Sequence, residues 1–403
     1  MTHTDAPTED THPICHRVEA GSTCLGFIAI DSTIEGRARG GLRLVADLSD
    51  DEMRDAARTM TLKYGLLGLP QGGAKGGLFG DPDAPVEERH ARLEAFAEGA
   101  AALLRARRYV PDADLGTNAA DIRWMMQRIG TPVRPRDWRA SRSGDHTARS
   151  CLAAADVLVD DLGLAWPDCR VTIEGFGKVG ALAARYVRAR GGRVIAISTS
   201  HGAIHDADGL DIDALIAKAM ARGSRFVLDE PRPLPREQLF EIPTDVLLPC
   251  ARRHSLHAGN VDRLIVRAIS VGANNPIAPD AEAALEQRGV RTVPDFVSNC
   301  GGVLGGTLEF AGVSADRIGP IIDAPVRRWV TRFLAEARRQ ETSIRAVAER
   351  EALARHARVR HAAARPGLVQ RVTGLGLEAY RREWIPERLM GTVAPWLLTR
   401  GWK

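Results

Sequence analysis

Two lysines lie in and just before a glycine-rich segment, in a chain that otherwise uses very little lysine. Of its 55 basic residues only five are lysine, at positions 63, 75, 178, 218 and 403. Arginine keeps its proton in proteins, whereas a buried lysine loses its proton when its pKa falls. A lysine that persists in this chain is therefore a candidate for an amine that must deprotonate to work.

Lys63 and Lys75 are twelve residues apart, and glycines stand on both sides of Lys75. A second cation nearby and a closed pocket both disfavour the ammonium form. The pair therefore predicts one shared site in which one lysine approaches neutrality. The alternative interpretation is that both are exposed lysines without a chemical role.

Asp114 lies in the segment VPDADLGTN, between a predicted strand and a predicted helix. A carboxylate beside a poised amine forms the pair that proton transfer in both directions requires. The alternative for this residue, and for Asp112, is N-capping of the following helix, a common role of aspartate.

The segment Gly175-Phe176-Gly177-Lys178-Val179-Gly180 has the spacing of a dinucleotide-binding turn. In such a turn the first glycine permits the bend, the second lets the backbone approach a pyrophosphate, and the third lets helix and strand pack closely. The motif predicts cofactor binding at Gly175, Phe176, Gly177, Val179 and Gly180. The alternative is a packing turn in a domain that has lost its ligand.

The strand after this turn ends in Ser198-Thr199-Ser200-His201, without the carboxylate that accepts from the ribose of NAD. Ser198, Thr199, His201 or Arg193 could each contact a 2′-phosphate, so the choice between NAD and NADP stays open. The alternative is that these are ordinary polar residues at a strand end.

The elements that position these residues follow from periodicity and glycine content. Residues 24–33 predict a strand, residues 50–66 a helix capped by Ser49, and residues 68–82 irregular backbone that turns sharply or passes close to a ligand. We expect loose order over the first 20 or so residues, and a hinge in the proline- and charge-rich stretch 131–150.

The second half of the chain predicts alternating strands and helices, then helices alone. Residues 170–198 predict a strand, helix and strand around the glycine turn. Three short strands are predicted at 244–250, 267–274 and 291–299, with arginine-rich helices from about 320 onward.

The composition bounds the class of protein. A length of 403 residues with 44% hydrophobic content predicts two domains with sizeable cores. A net charge of +4 argues against a nucleic-acid or membrane-surface binder, and no apolar run long enough to span a membrane occurs. The six cysteines form no metal-binding spacing, so we expect reduced thiols, no metal centre and a cytoplasmic location.

Six ordered motifs resemble the glutamate/leucine/phenylalanine/valine dehydrogenase family. They are RGGLRL (39–44), MTLKYGLLGLPQGGAKGG (60–77), VPDADLGTN (110–118), GFGKVG (175–180), VGANNP (271–276) and PDFVSNCGGV (294–303). The resemblance runs from about residue 35 to about 310.

The resemblance implies reversible, NAD- or NADP-dependent oxidative deamination of an L-amino acid to a 2-oxo acid and ammonia. It implies that Lys63 holds the substrate α-carboxylate, that Lys75 activates the attacking water, and that Asp114 carries protons to and from the amino group. Gly41 is expected at the substrate. Thr147, Asn274 and Asn299 match positions near the nicotinamide, although the family's threonine-glycine-x-glycine is here Thr147-Ala148-Arg149-Ser150.

The resemblance also implies an α/β fold of two domains. Residues 1–148 would form a substrate-binding and oligomerisation domain, residues 149–320 a Rossmann dinucleotide-binding domain, and residues 321–403 helices that pack back on the first domain. Family members are commonly hexamers and sometimes octamers or dimers, so we expect a homo-oligomer here, with small molecules as the other partners.

Two positions bear on which amino acid is bound. Arg39 stands where glutamate enzymes of the family place a lysine that holds the side-chain carboxylate, and a guanidinium grips carboxylates in a bidentate manner. Gly306 matches a serine of many glutamate enzymes and offers space but no hydrogen bond. We expect glutamate or a related acidic or polar amino acid. The alternatives are that Arg39 faces solvent or a structural carboxylate, a branched-chain, aromatic or unusual substrate, or a catalytically silent cofactor-binding homologue.

Overall fold

The computed structural model describes residues 13–402 and divides into two compact units. The first unit comprises residues up to 64, 70–140 and 358–374, and the second comprises residues 65–69, 141–357 and those from 375 onward. The predicted disorder of the first twelve residues lies outside the described part, as does Lys403.

The first unit is built on a five-stranded mixed sheet, called the first sheet below, with strand order β1-β2-β4-β3-β5. Its strands are β1 (Ile14–Ala20), β2 (Thr23–Ile30), β3 (Ala38–Val45), β4 (Gly72–Phe79) and β5 (Tyr109–Ala113). Strand β3 runs parallel to both of its neighbours, whereas β1, β2 and β4 pair antiparallel in turn. The helices are α1 (Asp50–Leu67), α2 (Val86–Gly99), α3 (Ala101–Arg105) and α4 (Ala119–Arg128).

Helix α1 begins as the sequence predicts. The backbone N–H of Glu52 donates to Ser49 Oγ at 3.1 Å, which satisfies one of the free donors of the first turn. The first turn carries Asp50, Asp51 and Glu52, which suit the positive end of the helix dipole. This capping fixes where the helix starts relative to the sheet.

Two predictions about the first unit are wrong. The glycine-rich segment 68–82 is not irregular, because it contains β4, which pairs with β2 and β3 inside the sheet. Residues 14–20 are not loosely ordered, because they form β1. Glycine is unfavourable in an isolated strand, but here helix α1 packs so closely on β4 that a Cβ atom at Gly73 would lie 2.3 Å from the backbone nitrogen of Thr61.

The second unit carries a six-stranded sheet, the second sheet, of order β11-β10-β9-β6-β7-β8. Its strands are β6 (Arg170–Glu174), β7 (Arg193–Thr199), β8 (Gly202–His205), β9 (Thr244–Pro249), β10 (Val266–Ser270) and β11 (Arg291–Val293). All neighbours pair in parallel except the edge strand β8. This order is that of a dinucleotide-binding Rossmann sheet, and it confirms the α/β fold with a parallel-strand sheet around the glycine turn.

Ten α-helices begin within the remaining described residues. They are α5 (Ser143–Asp161), α6 (Lys178–Ala189), α7 (Ile212–Arg222), α8 (Pro279–Gln287), α9 (Asp295–Ser298), α10 (Gly301–Phe310), α11 (Ala315–Gln340), α12 (Ile344–Ala364), α13 (Leu368–Arg381) and α14 (Glu387–Thr399). The predicted strand at 291–299 is only three residues long, since Pro294 has no N–H for a ladder and instead precedes α9. Within residues 13–402 no helix has both the length and the apolar character needed to cross a membrane.

Candidate active site

One face of the first sheet carries several charged side chains. Side chains alternate along a strand, so Arg39, Gly41 and Arg43 of β3 share that face. Gly41 pairs with Asp112 of β5, and the neighbouring pair of Leu42 with Gly76 places Lys75 beside Gly41. The register therefore brings three predicted site residues, Arg39, Gly41 and Lys75, to one face. The charged groups of Arg43 and Asp112 lie there as well.

Lys75 and Asp114 form a buried ion pair on this face. Lys75 Nζ donates to Asp114 Oδ2, which also accepts from Arg43 Nε at 3.0 Å. Lys75 is 4% exposed, and the Asp114 side chain is 22% exposed. Arg43 is held in turn by Glu52 of α1. The two predicted proton-transfer groups are thus in direct contact.

The combined effect of burial and the neighbouring charges is to lower the pKa of both Lys75 and Asp114. Burial lowers the pKa of Lys75, and the positive charge of Arg43 lowers it further, against the opposing effect of Asp114. Burial alone would raise the pKa of Asp114, but Lys75 and Arg43 more than offset it and hold that pKa well below its usual range. The site therefore keeps a carboxylate ionised next to an amine that gives up its proton more easily than a free lysine.

Gly41 is what allows Asp114 to lie against β3. A Cβ atom at Gly41 would lie 2.7 Å from Asp114 Cβ. The loop that carries Asp114 is fastened by Thr117, whose Oγ1 accepts from the Asp114 backbone N–H at 3.0 Å and donates to the Leu42 carbonyl at 2.8 Å. The contact of Gly41 with the substrate stays a prediction, but its contact with the aspartate is a reason for glycine at this position.

The capping alternative does not hold for either aspartate of this loop. Helix α4 is capped by Asn118, whose side chain accepts from the backbone N–H groups of Ala120 and Asp121. Asp121 returns the bond to the Asn118 N–H at 3.0 Å, completing a capping box. Asp112 and Asp114 therefore have other functions.

Lys63 lies in the last turns of α1, the helix that covers this face at β4. Lys63 is 5% exposed, and its neighbour Tyr64 is 3% exposed. Both lysines singled out in the sequence are therefore buried, which removes the alternative of two exposed lysines. The cost of burying a cation is high unless it is compensated.

Arg39 is held by a carboxylate of its own sheet. Its Nε and Nη2 donate to Asp112 Oδ2 and Oδ1 at 2.5 and 2.6 Å, a bidentate arrangement. The side chain of Arg39 is 39% exposed and that of Asp112 is 36% exposed. Of the alternatives for Arg39, the geometry fits the structural carboxylate, and the N–H groups of Nη1 are not used in this pair.

The glycine turn after β6 has the geometry that a pyrophosphate needs. Gly175 has a φ of +88°, which side chains other than glycine rarely adopt, and a Cβ at Gly180 would lie 1.8 Å from the Gly175 carbonyl oxygen. A Cβ at Gly177 would meet nothing within 4 Å, so open space lies where a phosphate would approach the start of α6. The Phe176 ring instead packs against Phe226, with ring centroids 5.8 Å apart.

The end of β7 lies against this turn. Ser198 Oγ accepts from the Gly175 N–H at 3.2 Å, and Thr199 Oγ1 donates to the Ser224 carbonyl at 2.9 Å. Val179 lies in the first turn of α6. Arg193 begins β7 and is therefore at the opposite end of the strand, away from the glycine turn. The serine and threonine stay candidates for cofactor contacts, and Arg193 does not.

Asn274 and Asn299 are hydrogen-bonded to each other. Asn299 Nδ2 donates to Asn274 Oδ1 at 3.1 Å and to the Ala273 carbonyl at 2.6 Å. The other side-chain atom, Asn299 Oδ1, is buried and has no hydrogen-bond partner among the described residues. A buried acceptor is costly without a donor, and the carboxamide NH₂ of a nicotinamide is a donor that fits it. These residues therefore suit the cofactor that the glycine turn predicts.

Gly306 lies on α10 above a small polar cluster. A Cβ there would meet only Ser141 Oγ, at 3.5 Å, so the position does leave space. One turn further, Glu309 accepts from Ser141 Oγ at 2.5 Å and contacts His146 Nε2 at 2.9 Å. Thr147 lies next to His146 on α5, and a Cβ at Gly302 would be 2.5 Å from its Oγ1.

Sequence reasoning missed four of these groups. Arg43 had a signal, because it stands two residues after Gly41 on a strand and must share its face. Glu52 was noted only as part of an acidic first turn. His146 and Glu309 had no signal, since 163 positions separate them in the chain. The described residues contain no group of three or more histidine, cysteine or acidic side chains placed to hold a metal ion.

Comparison with known proteins gives a consistent picture along most of the chain. Residues 141–363 match the family model described as Glutamate/Leucine/Phenylalanine/Valine dehydrogenase, and residues 12–131 match that of the Glu/Leu/Phe/Val dehydrogenase dimerisation domain. The chain is 31% identical over 291 residues to a glutamate dehydrogenase of Thermotoga maritima, covering 69% of this chain and 70% of the relative. It is 28% identical to an NAD-specific glutamate dehydrogenase of Staphylococcus aureus, covering 70% of each.

A solved structure resembles the chain over most of its length. It is the hetero-hexameric glutamate dehydrogenase of Thermus thermophilus in a leucine-bound form, with a TM-score of 0.73 and 25% identity. The match covers 89% of this chain and 90% of that chain. The fold and the family matches therefore agree.

Proposed function

The chain belongs to the glutamate/leucine/phenylalanine/valine dehydrogenase family, and on that premise we propose that it converts an L-amino acid reversibly to its 2-oxo acid and ammonia with NAD or NADP. The observation that carries this proposal is the buried contact of Lys75 with Asp114. An amine with a lowered pKa beside an ionised carboxylate is suited to exchange protons with water and with an amino group.

Each member of the charged face has a defined part in this proposal. Lys63 binds the substrate α-carboxylate by its positive charge. A bound dinucleotide would supply the acceptor for the hydride of the substrate α-carbon. Lys75, as the neutral amine, takes a proton from the water that adds to that carbon. Asp114 accepts a proton from the substrate amino group and returns one to the departing ammonia.

Arg43 and Gly41 act through Asp114. Arg43 donates to the same Oδ2 atom that accepts from Lys75, so it keeps the carboxylate ionised and fixed in direction. Gly41 gives the carboxylate room beside β3. Asp114 Oδ1 is thereby directed away from the two cations that bind Oδ2 and is the oxygen we assign to the substrate amino group.

We expect glutamate or a related acidic or polar amino acid as the substrate. The relatives named glutamate dehydrogenase support this expectation, as does the cation at Arg39. The pairing of Arg39 with Asp112 offsets part of that charge, so a polar, uncharged side chain is the second candidate. The nicotinamide contacts are assigned to Asn274, Asn299 and Thr147.

Steady-state assays with the standard L-amino acids and both cofactors test the substrate and the activity together. We expect turnover of glutamate or a polar amino acid at rates at least tenfold above those of leucine and phenylalanine. Turnover of leucine or phenylalanine without glutamate would contradict the substrate. No turnover of any amino acid, in protein that still binds a dinucleotide, would instead favour a catalytically silent homologue, to which the altered segment Thr147-Ala148-Arg149-Ser150 points.

We also expect the chain to form a homo-oligomer. Large apolar side chains are exposed on the last two helices, with Leu375 of α13 73% exposed and Trp396 of α14 59% exposed. Such exposed apolar groups usually belong to interfaces. Light scattering after gel filtration should give a multiple of the chain mass, and Leu375→Glu with Trp396→Glu should lower it. Met220→Glu, at an exposed position of α7, is the matched control and should not. A monomeric wild-type chain at micromolar concentration would contradict this expectation.

A further inference from the structure

A cavity of about 210 Å³ opens at the carboxyl ends of β6 and β7, beside the glycine turn. Strand β6 is the point at which the order of the second sheet reverses, with β9 on one side and β7 on the other. Ligands of open parallel sheets bind outside the carboxyl ends of the strands at this point. The cavity is therefore in the position where the adenosine end of a dinucleotide is bound.

Two arginines line this cavity, and no sequence motif had pointed to them. Arg252 follows β9, and Arg236 begins the short helix Arg236–Glu241. Among the described residues, Arg236 forms an ion pair only with its exposed neighbour Glu237, at 2.9 Å. Arg252 forms no ion pair within 4.0 Å with a carboxylate of residues 13–402. The hydroxyl-bearing Ser198, Thr199 and Ser200 complete the polar side of the cavity.

Among the described residues that line this cavity, the one acidic side chain is turned inward. Glu174, the last residue of β6, is 4% exposed, and its Oε2 accepts from Ser255 Oγ at 2.9 Å. Burial raises the pKa of Glu174 to about 7, although Arg236 and Arg252 act in the opposite direction. A carboxyl with its own donor, and only partly ionised at neutral pH, offsets little of the positive charge of the two guanidinium groups.

We infer that this cavity binds the 2′-phosphate of NADP, with Arg236 and Arg252 as the residues that select NADP over NAD. The inference rests on the proposed dinucleotide-dependent function and deepens it. A guanidinium group matches the oxygens of a phosphate in a bidentate manner. An arginine near the end of the second strand, with no ribose-binding carboxylate there, is the arrangement that accommodates a 2′-phosphate.

The competing interpretation is a ribose site for NAD. In that case Glu174 would turn to accept from the two ribose hydroxyl groups, and the arginines would contact solvent. The two interpretations differ in the sign of one quantity, the free energy of binding that a 2′-phosphate adds to an adenosine nucleotide. That quantity can be measured without any amino acid and without turnover.

Calorimetric titration of the full chain with 2′,5′-ADP and with 5′-AMP measures directly the binding free energy that the 2′-phosphate adds. We expect 2′,5′-ADP to bind at least about tenfold more tightly, as for one or two charge-assisted hydrogen bonds. Arg252→Ala and Arg236→Ala should each remove most of this preference and leave the Kd of 5′-AMP unchanged. Arg193→Ala, at the opposite end of β7, is the matched control and should keep the preference.

A second set of variants with conservative substitutions tests the same inference if an alanine variant fails to fold. Arg252→Lys keeps the charge but not the bidentate geometry, so its preference should be intermediate. Glu174→Gln should leave 2′,5′-ADP binding close to that of the wild type, because this carboxyl offsets little of the charge of the two arginines. Equal binding of the two nucleotides, or a preference that survives in the Arg236→Ala/Arg252→Ala double variant, overturns the inference and leaves the proposed function intact. Binding of neither nucleotide overturns both.

Discussion

Replacing Lys75 by alanine should lower kcat for deamination by about 10²–10⁴-fold, the range that a positioned acid–base group supplies. Lys75 is 4% exposed and contacts Asp114. Bulk water therefore cannot take over the proton transfer that this amine performs. Its pKa is lowered by burial and by Arg43. The amine acts as a base only when neutral, so the rate of the wild-type enzyme should rise with pH through this lowered pKa.

Dinucleotide binding separates a loss of chemistry from a loss of structure. The Lys75→Ala variant should bind 5′-AMP as the wild type does, because the glycine turn belongs to the other unit. Added ethylamine should restore part of the rate, with the rising limb of the pH profile moved toward the higher pKa of the free amine. Lys218→Ala is the matched control, since this lysine of α7 is half exposed and pairs with Glu230. Near-normal turnover of Lys75→Ala would refute the assigned mechanism.

The parts of this site that the sequence predicted are those that depend on residue type and local order. Lys63, Lys75 and Asp114 were selected by the scarcity of lysine and the position of one loop, and all three are buried or partly buried on the unit that carries them. The glycine turn was predicted because strand, glycines and helix are contiguous. These features need no knowledge of which strands are neighbours.

What the sequence did not predict depends on the pairing of distant segments. The segment around Lys75 was predicted to be a loop because it is too rich in glycine for a helix. In the structure these glycines lie in strand β4, where helix α1 packs too closely to leave room for a Cβ atom at Gly73. Arg39 was interpreted as a substrate-binding cation, and helix N-capping was the alternative considered for Asp112. Only the parallel pairing of β3 with β5 brings the two side chains together.

The pair formed by Arg39 and Asp112 should set how strongly the enzyme prefers a charged side chain. If Arg39 faces the substrate side chain, Asp112 acts as a built-in competitor for its charge. Asp112→Asn should then raise kcat/KM for glutamate relative to glutamine by about tenfold, or about 1.4 kcal/mol. Arg39→Met should lower the same ratio by about 10–100-fold and leave the chemistry at Lys75 unchanged.

The double variant decides whether the two residues act on the substrate or only on each other. In the Arg39→Met background, Asp112→Asn should no longer alter the preference for glutamate, because there is no guanidinium group left for the substitution to free. The coupling between the two residues is measured as the departure of the double variant from the sum of the two single effects. If the pair were purely structural, both single variants would lower the melting temperature and leave the ratio of kcat/KM values at its wild-type level. Thr117→Ser, a conservative change in the same loop, controls for movement of Asp114. The ion pair determines the preference for a charged substrate side chain if Asp112→Asn changes the ratio of kcat/KM for glutamate to that for glutamine only when Arg39 is present. An unchanged ratio in all variants would exclude this role.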